Sequence, residues 1–128
     1  MAKMTQKNKS NTILCVDRSN SLYHQIKNIF HKEMMEIVLE KRIDRVLDRF
    51  EEKTFDVLVF SSSASQTGNM TSQELLEIIS ANCSITQIVF LVNPGELKLA
   101  MNAIRAGSYP YAKLPIGDEE LRMLIDSA

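Results

Sequence analysis

The sequence predicts an α/β fold, a parallel five-stranded sheet with helices on both faces. Short strand-like apolar runs alternate with stretches whose apolar residues recur at helical spacing, in the order βαβαβαβαβα. Thr12 to Val16 is a nearly continuous apolar run, as in a strand buried on both faces. The chain of 128 residues, 45% of them apolar, has the size of one domain with one core.

The elements follow in order. Thr12 to Val16 ends at Asp17, and Leu22, Ile26, Ile29 and Phe30 then recur at helical spacing behind Ser19 or Asn20, either of which can cap the helix. Glu36 to Leu39 reads as a second strand, followed by Ile43, Val46, Leu47 and Phe50 on a second helix. Asp56 to Phe60 is the third strand and runs into a serine-rich loop, Ser61 to Met70. Thr71 and Glu74 form a capping box, and Leu75, Ile78 and Ile79 line one face of the helix that starts near Ser72. Gln87 to Val92, rich in β-branched and aromatic residues, is the fourth strand. Asn93 as N-cap, Pro94 at the first helical position and Glu96 at the third predict a helix start, with Leu97, Met101 and Ile104 behind it and Gly107 at its stop. A short strand at Tyr111 to Lys113 precedes Leu114-Pro115, and Asp118 is expected to cap a last helix bearing Leu121, Leu124 and Ile125.

Composition excludes several classes of function. Fifteen basic and 16 acidic residues are mixed along the chain without a basic stripe, so no nucleic-acid partner is expected. No apolar stretch approaches the roughly 20 residues that span a bilayer, and no membrane partner is expected. Cys15 and Cys83 lack partners at metal-ligand spacing and suggest no disulfide framework, which fits a reducing, cytoplasmic location. The polar start, residues 1–11, is read as a disordered tail ahead of one domain over residues 12–128.

Val16-Asp17 closing the first strand, together with Gly107, Tyr111 and Pro115 spaced four apart before the last helix, resembles the receiver domain of response regulators over roughly Asn11 to Ala128. The resemblance implies a flavodoxin-like (βα)5 three-layer sandwich of strand order 2-1-3-4-5. It places the site at the carboxyl ends of the first and third strands, where the winding reverses. It further implies a role in two-component signal transduction or a phosphorelay.

Carried over residue by residue, the resemblance implies that the phosphorylation chemistry is lost. The family holds Mg²⁺ with an acidic pair, because a small hard cation takes carboxylate oxygens; here the pair is Asp17-Arg18, and a fixed guanidinium charge repels the metal. Ser61 falls where the phosphoacceptor aspartate belongs, and a serine cannot form an acyl phosphate. Ala64 and Ser65 stand in place of the family's Met-Pro. Val92 falls on the coupling Thr or Ser, and Leu114 on the lysine. Lys113 lies one position earlier, where strand alternation turns it to the other face. Tyr111 matches the switch aromatic, and Pro115 the family's cis proline.

The reading is thus a degenerate pseudo-receiver, not an enzyme, with no metal and no cofactor. It would act through an unknown protein partner, with a homodimer through helix four, strand five and helix five as one form of contact. The alternative is a small-ligand or anion sensor that uses the vacated pocket. Plainer roles stand beside these: Asp17 pairing with Arg18 or capping the first helix, Tyr111 in fixed packing, and Ser61, Ser62, Ser63, Ser65 and Thr67 in a solvated loop. His24 and His31 read as surface residues, and Met34, Met35, Met70, Met101 and Met123 as core or groove filling.

Overall fold

A computed structural model describes residues 12–66, 70–83, 85–107 and 109–127. The expected tail, residues 1–11, and Thr67 of the serine-rich loop lie outside the described residues. Five parallel strands form one sheet in the order β2-β1-β3-β4-β5. They are β1 (Thr12–Val16), β2 (Glu36–Glu40), β3 (Val57–Ser61), β4 (Gln87–Val92) and β5 (Tyr111–Lys113). The connecting helices are α1 (Ser21–Ile29), α2 (Val46–Glu52, entered through a 3-10 turn at Ile43–Arg45), α3 (Ser72–Asn82), α4 (Leu97–Gly107) and α5 (Asp118–Asp126). This is the flavodoxin-like arrangement expected from the sequence.

Strand alternation divides the core in two. Leu14, Val16, Leu58, Phe60, Phe90 and Val92 point toward α2, α3 and α4, where Phe60 and Phe90 pack at 5.2 Å between ring centroids. Ile13, Cys15, Val57, Val59, Val89 and Leu91 point the other way, onto α1 and α5. Every residue of β3 is buried, since it pairs with β1 and β4 and is covered on both faces. Arg122 of α5 lies 4.9 Å over the Phe30 ring and pairs with Glu33 and Asp126, tying α5 to the end of α1.

Several boundaries differ from the sequence reading. Asp56 stands just before β3, where its side chain accepts from the Thr12 N–H at 3.1 Å and its own N–H donates to Thr12 Oγ1 at 3.0 Å. This clasp joins the amino ends of β1 and β3. Asn20 occupies the N-cap of α1 without a side-chain bond; the Ser21 N–H instead donates to Ser19 Oγ at 3.3 Å. The capping box of α3 forms as expected, with Glu74 N–H on Thr71 Oγ1 at 3.1 Å and Thr71 N–H on Glu74 Oε1 at 3.0 Å. On that helix Leu75, Leu76 and Ile79 are buried, but Ile78 is 38% exposed, one position off the inward stripe. Helix α4 begins at Leu97 and not at Pro94. Gly95 at φ +86° makes a turn closed by Glu96 N–H on the Asn93 carbonyl at 3.0 Å, and a left-handed residue ends any helix attempted through it. Gly117, not Asp118, is the N-cap of α5, so Asp118, Glu119 and Glu120 all sit in its first turn, at the positive end of the helix dipole.

At the end of α4, Tyr109 folds its ring over Gly107, and its hydroxyl is 3.0 Å from Ser80 Oγ on α3. A Cβ at position 107 would lie 2.0 Å from Tyr109 Cζ. Alanine ordinarily favours a helix over glycine by about 1 kcal/mol; here Gly107→Ala is expected to lower stability, by about 1–3 kcal/mol for an overpacked contact. Urea denaturation checks the sign, and a stabilised variant would refute the close approach. Cys15 is fully buried, and burial, reinforced by the nearby charge of Asp17, pushes its thiol well above the usual range. Only a thiolate alkylates readily. Iodoacetamide is therefore expected to label Cys83 alone in the folded protein and both cysteines in urea, as read by mass spectrometry.

Candidate functional site

The crossovers leaving β1 and β3 run to opposite faces of the sheet, so a crevice opens at their carboxyl ends. It is a cleft of about 460 Å³ whose walls include Asp17, Arg18, Ser63, Asn93, Leu114 and Pro115. The Leu114–Pro115 peptide bond is cis.

Asp17 is the carboxylate of this cleft and is 6% exposed. Ser63 Oγ donates to Asp17 Oδ1 at 2.8 Å, and Ser19 Oγ donates to Oδ2 at 3.3 Å. Its backbone N–H donates to the Glu40 carbonyl of β2 at 3.2 Å. A hydroxyl has one proton and two lone pairs. Having given its proton to Asp17, Ser63 Oγ accepts from the Arg18 N–H at 3.3 Å, and its 3.1 Å contact with Ser61 Oγ then runs from Ser61 to Ser63. Ser61 in turn accepts the Ser63 N–H at 3.3 Å. Ser61 is fully buried, so this chain of hydroxyls satisfies groups that water does not reach.

The expected pairing of Asp17 with Arg18 is not what forms. Asp17 turns inward onto the two serines and Arg18 turns outward, exposed; among the described residues its guanidinium pairs with no carboxylate. Leu114 packs against the α1/α5 side of the core and lines the cleft, while Lys113 is exposed and is not part of the cleft wall. Val92 is 2% exposed and packs on the α4 side, away from the cleft. Tyr111 is 43% exposed on the edge strand, whereas Tyr109 and Tyr23 pack against the two halves of the core. The structure therefore brings Asp17, Arg18 and Leu114 to one cleft, with Ser61 behind Ser63, and leaves Val92 and Tyr111 outside it. Ala64 is buried in the core and Ser65 half-buried. His31 Nδ1 lies 2.7 Å from the Asn28 carbonyl and the His24 ring is tilted by 58° against that of Tyr23; both histidines are at the surface.

A second set of bonds beside the cleft was not read from the sequence. Ser62, fully buried, donates to Glu96 Oε1 and accepts the Asn93 N–H at 2.9 Å, while Asn93 Nδ2 donates to the same Glu96 oxygen at 3.2 Å. The pair Asn93 and Glu96 carried the signal, since they stand three apart as a cap does, but their partner is Ser62 on another strand end.

The Mg²⁺ ion of receiver chemistry does not fit these residues. One carboxylate, both of whose oxygens already accept hydroxyl protons, stands beside a fixed cation, whereas the ion needs several hard oxygen ligands. Among the described residues no cluster of three His, Cys, Asp or Glu side chains is placed to hold a metal. No helix among them is long and apolar enough to cross a membrane.

No family model and no curated protein matches the chain. Solved structures do match. The signal receiver domain of an HD domain-containing protein from Pseudomonas fluorescens Pf-5 superposes with a TM-score of 0.77 at 20% identity, over 92% of this chain and 93% of that one. A response regulator receiver domain from Clostridium thermocellum gives 0.73 at 19% identity, over 91% and 92%. NtrX from Brucella abortus gives 0.77 at 21% identity, over 94% of this chain and 26% of its own length. The fold of this chain is that of response-regulator receiver domains.

Proposed function

We propose that this chain is a pseudo-receiver: a cytoplasmic, non-catalytic module of a signalling pathway that acts through protein contacts and without phosphorylation of its own. The observation that carries the reading is the state of the strand ends. Where a receiver needs a free carboxylate to attack phosphorus, this chain has Ser61, buried and bonded to Ser63. Where it needs metal ligands, Asp17 is held by two serines next to Arg18. Leucine and valine fill the positions of the lysine and the coupling hydroxyl. Four changes near the strand ends remove the nucleophile, the metal, the charge neutraliser and the coupling group together.

The contacts fall on the face built from α4, β5 and α5, including a homodimer through that face. Its support here is exposed apolar and aromatic surface: Tyr111 is 43% exposed and Met123 of α5 is 70% exposed. A second reading, a sensor of small anions, is favoured by the cleft itself, whose walls carry Arg18, Ser19 and Asn93 around an open volume.

One experiment separates these. The protein is titrated with Mg²⁺ and beryllofluoride, and separately with inorganic phosphate, while the amides of Asp17, Ser61 and Val92 are followed by two-dimensional NMR. The pseudo-receiver is expected to leave all three unmoved. Saturating shifts with phosphate alone would favour the sensor. Stoichiometric, Mg²⁺-dependent labelling by acetyl phosphate would overturn both.

A further inference from the structure

A second hollow, of about 660 Å³, lies along the outer side of α3, away from the cleft and from the α4–β5–α5 face. Met70, Ile78 and Ala81 give it an apolar floor, and Asp44, Glu74 and Glu77 stand around it. Ile78 and Ala81 are apolar residues of α3 that face outward, while Leu75, Leu76 and Ile79 are buried.

The charges around this floor are one-sided. Between Lys53 and Lys98 the chain contains no Lys or Arg, yet it contains Asp56, Glu74, Glu77 and Glu96. Asp44 is matched by Arg42, whose guanidinium bonds both its oxygens at 3.0 and 2.8 Å. Glu74 accepts the Thr71 N–H and Glu77 accepts from the Gln73 amide at 3.2 Å, but neither is paired with a cation among the described residues. Two carboxylates without counter-charge flank an apolar trough of a size that takes a few side chains.

We propose that this trough docks a basic amphipathic segment of a partner protein. Apolar side chains of the segment rest on Met70, Ile78 and Ala81, and its Lys or Arg residues meet Glu74 and Glu77, the arrangement by which a groove reads an amphipathic helix. The proposal does not depend on the state of the phosphorylation site or on the α4–β5–α5 face.

The test uses the full ¹⁵N-labelled chain and two synthetic helical peptides, one with Leu at i, i+3, i+4 and i+7 and Lys elsewhere, the other with Glu in place of every Lys. The Lys peptide is expected to shift the amides of Glu74, Glu77, Ile78 and Ala81 saturably, and the Glu peptide to shift none. Glu77→Lys and Ile78→Ser, both at exposed positions, are each expected to weaken binding about tenfold. Absence of saturable shifts, equal shifts in the acidic first turn of α5, or undiminished affinity in Glu77→Lys would overturn the proposal. Two further outcomes would overturn it by naming another occupant. If the Ile78 amide moves with protein concentration, a second copy covers the trough; if it moves on removal of residues 1–11, which carry Lys3, Lys7 and Lys9, the chain's own segment does.

Discussion

Parallel strands bond to one another through backbone groups that water cannot serve once helices cover both faces, and β1, β3 and β4 are covered in this way. From that burial the rest of the architecture follows. Side chains must be apolar on both faces, which explains why Ile13 to Val16 and Val57 to Phe60 read as unbroken apolar runs and not as alternating ones. Helices must lie on both faces, so the chain crosses over to opposite sides from β1 and from β3. The crevice at their carboxyl ends is the geometric remainder of that crossing. A polar residue at those ends is half inside the core, and it has to find its hydrogen bonds within the protein.

Asp17 illustrates the cost and the solution. An ionised carboxylate at 6% exposure loses most of its hydration, and leaving such a group without partners costs about 1–3 kcal/mol or more. Ser63 and Ser19 supply two hydroxyl donors, and Ser61 and the Arg18 N–H complete the valence of Ser63 in turn. The serines at the end of β3 are therefore more than solvated loop: Ser63 lines the cleft, Ser61 stands behind it, and Ser62 bonds the Asn93–Glu96 turn.

The sequence made the frame legible because each element carries its own period and its own stop signals. The capping box of Thr71 and Glu74 is local chemistry and forms as the sequence predicts. Errors arose where the deciding partner is remote in sequence. Asp56 looked like the first residue of a strand but spends its side chain on Thr12, 44 positions away. Asn93 and Glu96 looked like a helix start, yet Gly95 turns left-handed and both side chains meet Ser62. Ile78 fitted the helical stripe by spacing, and only the direction in which α3 faces the sheet leaves it outside. At the cleft, residue types at Asp17, Arg18 and Leu114 were readable, whereas the partner of Asp17 was not, because nothing in the spacing of Asp17 and Ser63 tells that their oxygens stand 2.8 Å apart.

The clasp of Ser62, Asn93 and Glu96 bears on how such a fold transmits a signal. A receiver of the resembled kind joins its strand-three end to its strand-four end through a phosphate met by a hydroxyl, so the link exists only when the phosphate does. In this chain Val92 offers no hydroxyl, but Ser62, next to the acceptor position, bonds directly to the turn that leads into α4. The two strand ends are joined by side chains the protein always carries. Three hydrogen bonds of the buried Ser62, one donated to Glu96 Oε1 and two accepted from the Asn93 N–H and Nδ2, hold the Asn93–Glu96 turn against the end of β3, and α4 starts at the next residue. That link ties the start of α4 to the end of β3 through side chains alone, which supports the proposal of a contact surface that needs no phosphorylation.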